Sequence, residues 1–165
     1  MIERPLKILV CGLPGSGKST LAEPLAELLG GTWINADVVR KFYDDWDFSP
    51  EGRMRQSLRM RYLSDGVTLA GKHAITDFVC PTAEARQQFD ADYVIWMNTI
   101  EAGRFEDTNK IFENPESEAH YVCTAWDNTT NIMGIVKHIS ACQSILQNQI
   151  NSLKEEDGKQ EEKPN

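Results

Sequence analysis

The sequence predicts an α/β protein built on a five-stranded parallel sheet with helices on both faces. Short runs of branched apolar residues alternate with segments whose apolar residues recur at helical spacing, and this alternation is typical of parallel strands joined by right-handed crossovers. The predicted strands are 6–11, 32–35, 73–79, 93–97 and 119–124. The predicted helices are 18–29, 37–43, 51–69, one capped by Thr82, and 131–153.

A phosphate-binding motif follows the first predicted strand. Residues 12–19 read Gly-Leu-Pro-Gly-Ser-Gly-Lys-Ser, which matches G-x-x-x-x-G-K-[ST] between a strand and a helix, as the motif requires. Its glycines allow successive N–H groups to surround a phosphate, and the helix N-terminus adds its dipole. The motif predicts a P-loop NTPase fold that binds ATP. The predicted nucleotide-binding residues are Gly12, Pro14, Gly15, Ser16, Gly17, Lys18, Ser19 and Thr20.

Three members of this set have separate predicted roles. Lys18 is expected to bridge the β- and γ-phosphates as a catalytic cation. Ser19 is expected to be a ligand of Mg²⁺, and Thr20 to reach the α-phosphate.

Two aspartates follow predicted strands, where the ligands of such sheets bind. Asp37 is the predicted catalytic base, accepting a proton from the acceptor hydroxyl or holding a water on Mg²⁺. An Asp at this boundary is equally natural as a helix N-cap. Asp77 is the alternative metal-orienting carboxylate, or the cap of the turn that follows it. Both alternatives stay open at this level.

Arginines are concentrated near the same edge of the predicted sheet. Arg40 lies three residues after Asp37, and four more arginines fall between residues 53 and 61. Guanidinium groups suit an anionic substrate, although residues of one helix at these positions cannot all face one way. A solvated helix face therefore accounts for some of them.

Composition restricts the class of protein. With 165 residues, 41% of them hydrophobic, the chain predicts one domain over 1–153, with a lid over 98–115 and a disordered acidic tail over 154–165. The net charge of −8 argues against binding duplex nucleic acid. We expect no membrane span and no signal peptide. The four scattered cysteines predict reduced thiols in the cytoplasm.

Several later motifs resemble the adenylylsulfate kinases. Residues 35–40, Asn-Ala-Asp-Val-Val-Arg, are similar to the family's Asp-Gly-Asp-Asn-x-Arg. Residues 48–53, Phe-Ser-Pro-Glu-Gly-Arg, resemble Phe-Ser-x-Glu-Asp-Arg, with Gln56 and Arg59 at the positions of a following Asn and Arg. Residues 78–81, Phe-Val-Cys-Pro, resemble Phe-Ile-Ser-Pro, with Arg86 beyond. The likeness covers residues 6–115 in consistent order.

The resemblance implies transfer of the ATP γ-phosphoryl group to the 3′-hydroxyl of adenylylsulfate. By position, Asp37 would be the base, while Phe48 and Phe78 would flank the adenine of this small anionic substrate. Kinases of this family often pair, so a homodimer stays open. The full implied substrate-binding set is Asp37, Arg40, Phe48, Arg53, Gln56, Arg59, Phe78, Val79, Cys80 and Pro81.

The sequence departs from the family at its lid. The family's Arg-Asp-x-Lys-Gly-Leu-Tyr is absent, and residues 103–112 are expected to supply Arg104 as a catalytic cation over the transferring group, with Lys110 nearby. Two alternatives follow. One is a kinase for another small-molecule or nucleic-acid hydroxyl, and the other is a slow or non-catalytic nucleotide-dependent regulatory module.

Overall fold

The computed structural model describes residues 4–161, and the side chains of residues 4–156. Contacts divide the chain into two compact units, one of residues 4–128 and one that contains the segment from residue 129 onward.

The first unit is built on a parallel sheet with strand order β2-β3-β1-β4-β5. The central strand β1 is buried along its whole length, as its almost unbroken apolar sequence predicts. It lies between β3 and β4, so the loop that leaves it opens into the crevice where the strand order reverses. The predicted fold class is confirmed. The strands are β1 Lys7–Cys11, β2 Thr32–Asn35, β3 Ala74–Asp77, β4 Tyr93–Met97 and β5 Tyr121–Cys123.

The helices of this unit begin and end at residues with clear capping roles. Gly30 closes α1 in the left-handed conformation, with φ 61°. The Ser49 hydroxyl accepts a hydrogen bond from the Gly52 N–H ahead of α3, and Thr82 caps α4 as predicted. The helices are α1 Lys18–Leu29, α2 Ala36–Tyr43, α3 Pro50–Leu69, α4 Ala83–Phe89 and α5 Glu106–Ile111.

The segment 98–115, predicted as an aperiodic lid, contains the short helix α5. Two hydrogen bonds of 2.8 Å join the Asn109 side chain to the backbone N–H and C=O of Gly103. They stabilise the segment that precedes α5. With only six residues, α5 is too short for its apolar residues to produce a helical period.

The second unit contains one helix, α6, Asn128–Glu161. The predicted disordered tail over 154–165 is therefore wrong up to residue 161, because Glu, Lys and Gln favour helix even where few apolar residues are present. Residues 162–165 lie outside the described residues. Along the predicted apolar stripe, Ile135 and Ile139 are buried, whereas Leu146 and Leu153 are exposed. None of the helices in the described range is long and apolar enough to cross a membrane.

All four cysteines are free thiols. Cys11, Cys80 and Cys123 are buried and Cys142 is exposed. Burial raises the pKa of Cys11 and of Cys123 to about 12 each, so these thiols are unreactive near neutral pH.

A histidine joins the start of the first unit to its sheet. The Leu6 N–H donates to His73 Nδ1 at 3.0 Å, which requires a neutral ring, and burial lowers the pKa of His73. Because the unfolded chain then binds this proton more readily, His73 stabilises the fold above about pH 6.5, and this contribution is lost as the pH falls below that value. We expect His73→Asn, whose side-chain oxygen can still accept the hydrogen bond, to show a weaker loss of stability on acidification. Urea unfolding of both proteins across this pH range measures the difference, and identical pH profiles would contradict the role.

Candidate active site

The phosphate loop joins β1 to α1 in the geometry that the motif predicts. Gly15 and Gly17 adopt φ of 84° and 94°, which residues with a Cβ rarely adopt. Gly17 caps α1 without a side-chain hydrogen bond, so the first N–H groups of the helix face the loop as anion donors. Lys18 Nζ donates to the Leu13 carbonyl at 2.9 Å. Burial lowers the pKa of Lys18, against the opposing charges of Asp77 and Asp37.

Two side chains that follow β4 and β5 are hydrogen-bonded to this loop. The Ser16 carbonyl accepts hydrogen bonds from Thr99 Oγ1 at 2.6 Å and from Trp126 Nε1 at 2.9 Å. A Cβ on Gly17 would lie 3.2 Å from the Trp126 ring, so any other residue would require a small shift of that ring as well as an unfavourable dihedral angle. Sequence reasoning did not identify Trp126 or Thr99, which lie far along the chain and match no phosphate-site motif.

The metal side of the site centres on Asp77 at the end of β3. Its carboxylate accepts hydrogen bonds from Ser19 Oγ at 3.2 Å, from Asn35 Nδ2 at 3.1 and 3.2 Å, and from Trp33 Nε1. Burial raises the pKa of Asp77, and these donors and the Lys18 charge oppose that rise. A hydroxyl and a carboxylate side by side in an open cleft fit Mg²⁺, which prefers oxygen ligands. The geometry therefore favours Asp77 over Asp37 as the metal-orienting carboxylate.

Asp37 has a different environment. Asn35 caps α2, because its side-chain oxygen accepts the N–H groups of Asp37 and Val38 at 3.1 Å each. The alternative that Asp37 is the N-cap is therefore wrong. Its exposed carboxylate lines the cleft, and no hydrogen bond to it is found among the described residues.

Several predicted substrate-binding residues instead hold the loop 44–49 between α2 and α3. Arg40 is 5% exposed and donates to the carbonyls of Asp45 and Asp47 at 3.0 and 3.2 Å. Arg59 pairs with the Asp45 carboxylate at 2.7 Å, and Arg55 binds the same group. These contacts keep the pKa of Asp45 well below its usual range.

Three other members of the predicted set also lie away from the cleft surface. Gln56 is 3% exposed and donates to the Ala36 carbonyl at 3.0 Å. Cys80 is buried, and its carbonyl accepts from Arg86 at 3.0 Å. The Pro81 carbonyl accepts the Glu113 N–H at 2.7 Å. These polar groups form hydrogen bonds within the protein, although the sequence motifs predict that they bind the substrate.

Most of the remaining predicted residues line one cleft of about 730 Å³. They are Pro14, Gly15, Gly17, Lys18, Ser19, Thr20, Asp37, Phe48, Arg53, Asp77, Phe78, Val79 and Arg104. The lining also includes Asn35, Ala36, Trp46, Phe105, Asp107 and Thr108, which were not in the predicted set. Gly12 and Ser16 belong to the loop but not to this lining.

Arg53 connects the loop 44–49 to α5. Its Nε donates to the Phe48 carbonyl at 2.8 Å, and its Nη2 pairs with Asp107 of α5 at 3.2 Å. Arg104 is exposed at the rim, 5.5 Å from the Phe105 ring. Cationic and aromatic side chains therefore both line the cleft.

A protein-family profile described as an AAA domain matches residues 8–127, which includes the whole cleft. The chain belongs to this AAA-domain family.

One relative of this chain is named as a kinase. A probable adenylyl-sulfate kinase from Aeropyrum pernix is 32% identical over 94 residues, which are 52% of this chain and 50% of that relative. The match thus spans about half the length of the relative. The resemblance expected from the motifs is confirmed.

Solved structures share the fold. An APS kinase from Mycobacterium tuberculosis, in complex with AMPPNP and APS, has a TM-score of 0.71 at 16% identity and covers 84% of this chain and 99% of its own. A gluconokinase from Sinorhizobium meliloti 1021 has a TM-score of 0.67 at 15% identity, covering 89% and 99%. At these identities the likeness shows the fold alone.

The two aspartates of the AAA domain are expected to act on different ligands. Asp77→Asn removes the charge beside Ser19, and we expect it to raise the Kd for Mg·AMPPNP by about tenfold or more, the usual effect of losing a charged hydrogen-bonding group. Asp37→Asn is the matched control, because the Asp37 carboxylate is not hydrogen-bonded to Ser19 or Asp77, and it should change this Kd less than Asp77→Asn does. Isothermal titration calorimetry measures both. If Asp37→Asn raised the Kd for Mg·AMPPNP more than Asp77→Asn did, Asp37 would be the metal-orienting carboxylate.

Proposed function

We propose that this chain is an ATP-dependent small-molecule kinase whose acceptor is the 3′-hydroxyl of adenylylsulfate. One observation carries the proposal: a single cleft combines Lys18, Ser19 and Asp77 with an exposed carboxylate, Asp37, whose charge acts on Lys18. An exposed Asp37 facing the nucleotide side suits an acceptor that brings its own hydroxyl.

Each residue has a stated part in the reaction. The acceptor oxygen forms a bond to the γ-phosphorus, the bond from that phosphorus to the β–γ bridging oxygen breaks, and ADP leaves with that oxygen. Asp37 takes the proton of the hydroxyl. Lys18 and the α1 N-terminus stabilise charge on the phosphate oxygens. Mg²⁺, held by Ser19 and through water by Asp77, would neutralise the β- and γ-phosphates.

The cleft also suits the rest of adenylylsulfate. Phe48 is 52% exposed and presents aromatic surface for an adenine, whereas Phe78 lines the same cleft from a buried position against Phe89. Arg53 and Arg104 supply positive charge for its phosphosulfate. We assign substrate contact to these two arginines, since both line the cleft, whereas Arg40 and Arg59 do not. We place the activity in the cytoplasm, where free thiols stay reduced.

One observation favours a second class of acceptor, a hydroxyl compound with less negative charge than adenylylsulfate. Arg40 and Arg59 contact Asp45 and Asp47, so fewer arginines are available to bind an anionic substrate than the motifs predict. Gluconate is a reasonable representative, given the gluconokinase that shares the fold.

Coupled measurement of ADP release with Mg·ATP tests the proposal. Adenylylsulfate should accelerate ADP release severalfold or more over ATP alone, while gluconate and shikimate should not. Acceleration by gluconate alone would move the acceptor to the second class. ADP release that no acceptor changes would favour a hydrolytic or regulatory module.

A further inference from the structure

We propose that Asn35 is a positioning residue that joins the nucleotide half of the cleft to the acceptor half; the inference rests on the proposed function. Its Nδ2 donates to Ser19 Oγ at 3.0 Å and to both Asp77 oxygens at 3.1 and 3.2 Å. Its Oδ1 accepts the N–H groups of Asp37 and Val38 at 3.1 Å each. One short side chain thus contacts the metal-side pair and the turn that carries the catalytic base.

The amide is suited to the metal side because it supplies hydrogens. The Ser19 hydroxyl donates its only hydrogen to Asp77, so the Ser19 oxygen and the Asp77 carboxylate can both accept a further hydrogen bond. The Asn35 NH₂ group donates to both. An Asp at this position has acceptor oxygens only and would bring a second carboxylate against Asp77. Asn35 therefore helps to hold Ser19 and Asp77 at 3.2 Å from each other.

The carbonyl half of the amide acts on the acceptor side. It satisfies two N–H groups in the first turn of α2, and Gln56 fixes the same turn by donating to the Ala36 carbonyl at 3.0 Å. Because Asn35 performs the capping, the Asp37 carboxylate is left to face the cleft. The position of the base is thereby set relative to Ser19.

Two variants separate the two halves of the amide. Asn35→Ser keeps an oxygen that can cap α2, but its side chain is too short to donate to Asp77. Asn35→Ala loses both functions. We expect Asn35→Ser to raise the Kd for Mg·AMPPNP about tenfold, the effect of losing hydrogen bonds to a charged group, with unchanged amide exchange at residues 37 and 38. Asn35→Ala should weaken nucleotide binding equally and also speed that exchange about fivefold, as expected for a lost N-cap.

A third variant tests the amide hydrogens directly. Asn35→Asp keeps the capping oxygens and replaces the donor by a charge of the same sign as Asp77. Without metal or nucleotide, it should melt below Asn35→Ser in a thermal scan at neutral pH. Melting at or above the wild-type temperature would show that position 35 does not donate to Asp77.

Two further results would overturn the inference: wild-type affinity of Asn35→Ser for Mg·AMPPNP, or equal exchange at residues 37 and 38 in the serine and alanine variants. None of these measurements contains an acceptor. If adenylylsulfate proves not to be the substrate, they still decide the role of Asn35.

Discussion

Replacing Lys18 by Met is expected to lower kcat/KM for ATP by roughly two to three orders of magnitude, the range for removing one preorganised group that stabilises transition-state charge. Met matches the length and apolar stem of Lys18, so packing in the loop is retained while the cation is lost. The Leu13 carbonyl would lose its 2.9 Å partner, a smaller effect at the edge of the cleft. Steady-state kinetics with saturating acceptor measure the change.

Lys18→Arg is the matched control for charge. It keeps a cation but is too bulky for the loop, so its activity should remain close to that of Lys18→Met. The pH profile gives a second check. Because burial lowers the pKa of Lys18, kcat/KM should fall on the alkaline side below the usual lysine pKa of about 10.4, as the amine loses its proton. Nearly wild-type activity in Lys18→Met would contradict the assigned role.

Replacing Asp37 by Ala is expected to reduce phosphoryl transfer to the acceptor by about 10²- to 10⁴-fold, the range for a positioned general base. The Kd for Mg·AMPPNP should stay within about twofold of the wild type, because Ser19 and Asp77 do not depend on Asp37. Stability should also be unchanged, since the residue is exposed and Asn35 caps α2. Single-turnover kinetics and calorimetry separate the two effects.

Glu27→Ala is a suitable surface control, because it removes an exposed acidic side chain of α1 that does not line the cleft. It should leave turnover unchanged. Equal losses in Asp37→Ala and Glu27→Ala would point to a general effect of charge and remove Asp37 from the mechanism.

The sequence predicts most of the fold because the decisive signals are local. The phosphate loop needs only residues 12–19 and the apolar strand before them. All five strands and the ends of α1 follow from short apolar runs and glycine or capping residues. The single-residue differences at α2 and α3 arise because helix ends depend on capping partners.

The errors in the site arise where side chains find distant partners. Arg40 and Arg59 are correctly placed along the chain, but Asp45 and Asp47 engage them through a loop whose conformation has no sequence motif. Trp126 reaches the phosphate loop across 110 residues of chain. Such contacts depend on the assembled sheet, so sequence spacing does not reveal them.

Asn35 shows how a departure from a family motif can be informative. At the sequence level it is a substitution for an expected acidic residue. In the structure it both caps α2 and donates to Asp77, two functions that a carboxylate cannot combine. The asparagine is visible in the sequence motif, but its hydrogen bonds to Asp77 become evident only when β2 and β3 are paired in the structure.

Product analysis tests the central claim most directly. Purified protein is incubated with Mg·ATP and adenylylsulfate, and mass spectrometry follows the nucleotides, with Asp37→Ala in parallel. The account predicts 3′-phosphoadenylylsulfate and ADP in equal amounts from the wild type, with product formation reduced by at least about a hundredfold in the variant. Adenylylsulfate that is recovered unchanged while ATP binds normally would contradict the proposed acceptor.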